Sequence, residues 1–291
     1  MGGIACAAAT RDLLGEVPVW CWRSRRLWWV DVLTPRLHSL DPETGRLRSY
    51  AIPFRRLGSI ALRDRGGLVL ATERGIHAFD PESGAIEFLV DPEPGRPNRR
   101  LNDGRCDRAG RFWVGSMNDE AFVPEGRFFR VDPDLRVATI LENIIIPNSV
   151  AFSPDDRTLY FADTRRFTIW AFSFDISEGT IGDRRVFAEV HEGEARPDGS
   201  CIDQEGYLWN AEYAGGRVVR YAPTGEIDRI VSLPVTYPTC CCFGGTDLGT
   251  LFVTSARFPL SHLQASREPL AGALLTIETG FRGLPEPLFR G

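Results

Sequence analysis

The sequence predicts an all-β protein, a six-bladed β-propeller forming one domain over residues 1–291, and three observations carry that prediction. A short apolar strand recurs six times along the chain. The starts of these strands, at residues 27, 68, 112, 159, 208 and 251, are 41, 44, 47, 49 and 43 residues apart. Most copies are followed by a second hairpin, so each period holds about four strands, which is the signature of a propeller blade.

The six strands read Leu27-Trp28-Trp29-Val30, Leu68-Val69-Leu70-Ala71, Phe112-Trp113-Val114-Gly115, Leu159-Tyr160-Phe161-Ala162, Leu208-Trp209-Asn210-Ala211 and Leu251-Phe252-Val253-Thr254. Turns such as Asp64-Arg65-Gly66-Gly67, Asp107-Arg108-Ala109-Gly110 and Asp203-Gln204-Glu205-Gly206 introduce them, with the Asp and Gly chemistry of hairpin loops. The second hairpin is clearest as Leu37-His38-Ser39-Leu40-Asp41-Pro42 and Ile76-His77-Ala78-Phe79-Asp80-Pro81. Period-2 aromatic and β-branched patterning replaces any 3.6-residue period, which sets aside a helical solenoid. A β-sandwich would leave the repeat unexplained.

Ten or eleven residues before each strand lies the start of the blade's innermost strand, which faces the central channel. The residues found there are Glu16, Gly58, Asn102, Asn148, Asp198 and Cys240. Polar groups from separate blades converging on one axis are costly unless they share a partner. Glu16, Asn148 and Asp198 offer only oxygen and suit one divalent metal ion: Ca2+ first, with Mn2+, Zn2+ or Fe2+ also admitted at an open site. The alternative is that these groups hydrogen-bond one another and water at the channel mouth.

Composition narrows the function. The net charge of −5 has no dense basic patch for nucleic acid, and no apolar run is long enough to span a bilayer. The stretch from Gly3 to Thr10 is too short for a signal peptide, so a cytoplasmic location is expected. The seven cysteines show no CxxC spacing, and the Cys240-Cys241-Cys242 run reads as small buried hydrophobes. All 34 basic residues are arginine, which excludes a lysine Schiff base. The four histidines show no HxH or HExxH spacing, and neither GxSxG nor GxxxxGK occurs. Most of the tryptophans lie in strands and read as core between blades rather than as sugar-stacking groups.

Five segments in register resemble the SMP-30/gluconolactonase/regucalcin-like family. They are Leu14-Gly15-Glu16-Val17-Pro18-Val19-Trp20, Arg100-Leu101-Asn102-Asp103-Gly104-Arg105-Cys106-Asp107, Gly110-Arg111-Phe112-Trp113-Val114-Gly115-Ser116-Met117, Pro147-Asn148-Ser149-Val150-Ala151-Phe152 and Pro197-Asp198-Gly199-Ser200-Cys201. The resemblance implies metal ligands at Glu16, Asn148 and Asp198. It also implies substrate contacts at Arg100, Asn102 and Glu120, with Asp103 beside the site holding Asn102 in place. Phe258-Pro259-Leu260-Ser261 is similar to the last-blade segment of the bacterial aldonolactonase branch. Val17 and Ser149 stand where the family usually has glycine.

The expected activity is hydrolysis of an aldono-1,4- or 1,5-lactone to the aldonic acid, as in pentose or hexose oxidation. Asp198 is then both metal ligand and catalytic general base. The expected partner is a small sugar lactone, its ring neutral and polyhydroxylated, bound by a monomer or weak homo-oligomer. The rivals are a promiscuous arylesterase or organophosphate hydrolase and a non-catalytic calcium-binding propeller.

Overall fold

The computed structural model describes residues 3–96, 98–191 and 193–291. Six four-stranded antiparallel sheets form the blades, and five are consecutive meanders in chain order. The inner strands are Gly15–Cys21, Leu57–Leu62, Arg99–Cys106, Pro147–Phe152, Arg196–Ile202 and Pro238–Gly244. They are almost wholly buried, whereas outer strands such as Arg46–Ala51 and Ile227–Ser232 expose most of their residues. This gradient explains why the second strand of each blade, apolar on both faces, is the one legible in the sequence.

The sixth blade is completed from both ends of the chain. Its order is Pro238–Gly244, Thr250–Ser255, Leu274–Glu278 and then the N-terminal strand Ile4–Ala8. Pairing Ile4 with Ile277 thus closes the ring non-covalently. The family-like segment through Ser261 leads into the helix His262–Arg267, where Ser261 and Gln264 form a capping box.

The blade turns do more than reverse the chain. Asp107 accepts the Arg111 N–H at 3.0 Å and the Trp113 indole N–H at 2.9 Å. Asp203 repeats the arrangement with the Tyr207 N–H at 3.0 Å and the Trp209 indole at 2.9 Å. Each turn carboxylate therefore satisfies the one polar atom of a fully buried tryptophan, which then packs the blade interface. Around Trp113 stand Phe128, Phe152 and Phe174, with ring centroids 5.7, 5.9 and 5.7 Å away.

All seven cysteines are free, and Cys106, Cys201 and Cys240 to Cys242 are buried. The C-terminal segment crosses the end of the channel opposite the inner-strand starts. Gln204 N–H donates to the Arg282 carbonyl at 2.8 Å, Phe289 N–H to Leu62 at 2.8 Å and Arg290 N–H to Gly110 at 3.1 Å. Phe289 is completely buried there, and Glu286 pairs with Arg105 at 3.1 Å. Among the described residues, no helix is long and apolar enough to cross a membrane.

Candidate active site at the channel mouth

Every inner strand carries a register irregularity where the ring residue sits: between Glu16 and Val19, Leu57 and Ser59, Leu101 and Gly104, Asn148 and Ala151, Pro197 and Ser200, and Pro238 and Cys241. A bulge of this kind re-aims a side chain out of the sheet. The residues after Glu16 and Asn148 take left-handed backbone conformations, φ 45° at Val17 and φ 58° at Ser149. Both follow the strand geometry that glycine would serve most cheaply, so the strain of a β-branched Val17 is stored beside the site. Blade 2 contributes no ring side chain because a Cβ on Gly58 would overlap the Leu101 carbonyl of the next blade.

Glu16, Asn102, Asp103, Asn148 and Asp198 are all buried, as is Arg100. Their carboxylates interact strongly. Burial first, and Asp103 second, push the Glu16 carboxyl up to about 8. Asp198 is held well above the ordinary carboxylate range by burial, then by Glu16 and Asp103. Its Oδ1 is buried and accepts no hydrogen bond.

A one-way hydrogen-bond chain orients the amides. Arg100 Nε donates to Asp119 Oδ1 at 2.6 Å, and Arg100 Nη1 donates to Asn102 Oδ1 at 2.5 Å. Asn102 must then present Nδ2 to the Pro147 carbonyl at 2.8 Å and to Asn148 Oδ1 at 3.0 Å. From the other side, the single Thr164 hydroxyl proton goes to the Pro197 carbonyl at 2.8 Å, so Thr164 can only accept from Asn148 Nδ2, at 2.7 Å. Both ends therefore agree on where Asn148 Oδ1 lies. The Asp198 backbone is braced by Asn210 Nδ2, which donates to its carbonyl at 2.9 Å, and by the Ser149 hydroxyl.

The structure thus brings together Glu16, Arg100, Asn102, Asn148 and Asp198. Asp103 has a different role from the one expected: its carboxylate accepts the Val150 N–H of the next blade at 3.0 Å, while Asn102 is held by Arg100. Glu120 stands apart from the buried group, exposed and 3.9 Å from Arg55. Its neighbour Asp119 is the residue that grips Arg100 and also Arg56, at 2.8 Å. Sequence reasoning missed Asp119, Thr164 and Asn210, which occupy no ring position. It also missed Tyr213, whose hydroxyl is held above its ordinary value by burial and then by Asp198.

Two carboxylates and an aimed amide oxygen, one carboxylate oxygen lacking a partner, are a donor set that fits a hard divalent cation. Among the described residues, no three His, Cys, Asp or Glu side chains gather to hold a metal. The third oxygen here comes from an amide. Fold and site together define a six-bladed propeller with a buried carboxylate and amide ring at one end of its channel. The chain belongs to the SMP-30/gluconolactonase/LRE-like family, whose description matches residues 14–257. It is 36% identical over 289 residues to the 6-deoxy-6-sulfogluconolactonase of Pseudomonas putida, covering 99% of both chains. It is 37% identical over 295 residues to the L-arabinolactonase of Azospirillum brasilense, covering 100% of this chain and 96% of that one. The solved structure of a calcium-binding protein, regucalcin, from Agrobacterium tumefaciens superposes with a TM-score of 0.95 at 31% identity, over 100% of this chain and 98% of that one.

Proposed function

We propose that this protein is a metal-dependent lactonase that opens a sugar lactone, an aldono-1,4- or 1,5-lactone, to its aldonic acid. The observation that carries the reading is the convergence of Glu16, Asn148 and Asp198, with Asp198 Oδ1 buried and unpartnered. The three would hold the cation, Ca2+ first and Mn2+, Zn2+ or Fe2+ as alternatives. A bound divalent cation supplies Lewis-acid polarisation of an ester carbonyl and lowers the pKa of water.

The remaining steps fall to the chain. Asp198 takes the proton of the attacking water. Arg100 spends Nε and Nη1 on Asp119, Asn102 and the Leu101 carbonyl, which leaves Nη2 to address a substrate hydroxyl. Asn102 is held in the orientation that supports Asn148, and Glu120 reaches the substrate from the exposed rim. Seven free thiols suit a reducing, cytoplasmic compartment. The protein then acts on a soluble small molecule as a monomer or weak homo-oligomer.

Hydrolysis of a panel of pentono- and hexonolactones, followed by pH-stat with and without chelator, tests the reading. Chelator-sensitive acid release is expected. A cation-binding propeller without turnover is the rival, favoured by the calcium-binding name of the Agrobacterium relative. It predicts cation binding with no acid release from any lactone.

A further inference from the structure

The polar groups assigned to the substrate lie on one wall of the channel mouth, at the junction of blades 2 and 3. Arg100 is held there by Asp119, which also grips Arg56 of blade 2, and Glu120 stands 3.9 Å from Arg55. A six-bladed ring sets the junction of blades 5 and 6 diametrically opposite. That wall is aromatic. Tyr213 and Tyr237 stand there with ring centroids 5.0 Å apart and planes tilted by 52°. Tyr213 ends the second strand of blade 5, Leu208–Tyr213, and Tyr237 immediately precedes the inner strand of blade 6. Trp209 and Ala211 pack against Val235, Cys241 and Phe243 of blade 6, and the period of two puts Tyr213 on the same face. Tyr213 pairs with Arg196 and Glu212 with Pro197, so Tyr213 stands beside the residues that lead into Asp198.

The Tyr213 hydroxyl has no task in the fold. Its residue is half-buried, yet among the described residues no hydrogen bond engages the hydroxyl of Tyr213 or of Tyr237. Burial first, then Asp198, hold its pKa above the ordinary value, and Glu16 adds to the effect. Both carboxylates belong to the ring, so the hydroxyl faces the ring and keeps its proton. Opening a lactone calls for such a proton, because a sugar alkoxide is a poor leaving group. The carbonyl carbon of an aldonolactone is bonded to the hydroxyl-bearing C2 on one side and to the ring oxygen on the other. With the hydroxyl-bearing carbons against Arg100 and Glu120, the ring oxygen turns towards blades 5 and 6.

We infer that Tyr213 is the general acid of lactone opening: its hydroxyl donates to the ring oxygen and passes its proton there as the acyl–oxygen bond breaks. This rests on the lactonase reading above. Water adds its oxygen to the carbonyl carbon while Asp198 takes one of its protons. The carbonyl then reforms, the bond to the ring oxygen breaks with its electron pair on that oxygen, and the oxygen takes the Tyr213 proton. The proton held by Asp198 returns to the Tyr213 oxygen. Both groups are restored, and one water has become part of the hydroxy acid.

Tyr213→Phe removes only the hydroxyl, and the leaving group of the substrate reads its effect on the full chain at saturating cation. For the pentono- or hexonolactone that the parent opens fastest, kcat should fall by roughly 10²-fold or more, with KM within about threefold of the parent. The ring-sulfur analogue of that lactone and dihydrocoumarin expel a thiolate and a phenolate, which need no proton. With these, kcat should fall by less than about threefold. An equal loss on all three substrates, or parental turnover of the sugar lactone by Tyr213→Phe, overturns the assignment and leaves the lactonase reading standing. So does a leaving-group-dependent loss found in Tyr237→Phe and not in Tyr213→Phe. Calorimetric titration of Tyr213→Phe with Ca2+ should give parental affinity, and a loss of affinity as large as the loss of turnover would show that Tyr213 acts only through the ring. If the parent releases acid from no lactone of the panel, the lactonase reading itself fails, and the acid role with it.

Discussion

Replacing Thr164 by valine keeps the shape of the side chain and removes one hydroxyl. That hydroxyl accepts from Asn148 Nδ2 at 2.7 Å and donates to the Pro197 carbonyl at 2.8 Å, joining blade 4 to blade 5. Thr164→Val strands two buried polar groups, each costing about 1 to 3 kcal/mol, so stability should fall by roughly 2 to 6 kcal/mol. The second consequence is specific to the site. Without Thr164, only Asn102 fixes the Asn148 amide, and loss of such an orienting partner typically weakens metal binding by about 10- to 100-fold. Calorimetric titration with Ca2+ and Mn2+ measures this directly, with Thr164→Ser as the control that restores the hydroxyl and near-parental affinity. If Thr164→Val loses stability yet binds the cation as tightly as the parent, Thr164 is a strut between blades and the orienting argument is wrong.

The Glu16 carboxyl, raised to about 8 from 4.5, holds a proton in the folded state that the unfolded chain has already released between these values. The Glu16 contribution to cation-free stability is therefore full below about pH 4.5 and is lost as pH rises through about 8. Denaturant melts across this window should show the decline in the parent, its flattening in Glu16→Gln and its reversal by added cation; a parent as pH-sensitive as Glu16→Gln refutes it. Asp198→Asn, assayed at saturating cation, should lose roughly 10² to 10⁴ in kcat, and a return to near-parental turnover would reduce Asp198 to a ligand. Phe289→Ala should cost about 3 to 5 kcal/mol in chemical denaturation, because Phe289 is fully buried where the C-terminal segment seals the channel. Its cation affinity should stay parental, and a matching loss of affinity would show that the seal also shapes the ring.

Much of the architecture was written locally. Strand, turn and repeat depend on neighbours within a few residues, so the apolar runs from Leu27 to Thr254 and their Asp-Gly turns were readable without a structure. Because blades repeat at nearly even spacing, counting back from each run also located Glu16, Asn148 and Asp198 at the starts of inner strands, where the bulges aim them inward. What tertiary structure alone decided is whatever depends on pairing between distant parts of the chain. The Ile4–Ala8 strand joins the last blade across some 270 residues, and the C-terminal segment crosses the channel without any periodic pattern to announce it. The same holds for the groups around the ring: Asp119 rather than Glu120 grips Arg100, and Thr164 settles the Asn148 amide through a carbonyl of the next blade. A hydrogen bond's direction depends on which atoms meet and which of them carries the proton, and no spacing along one strand records a meeting between three blades.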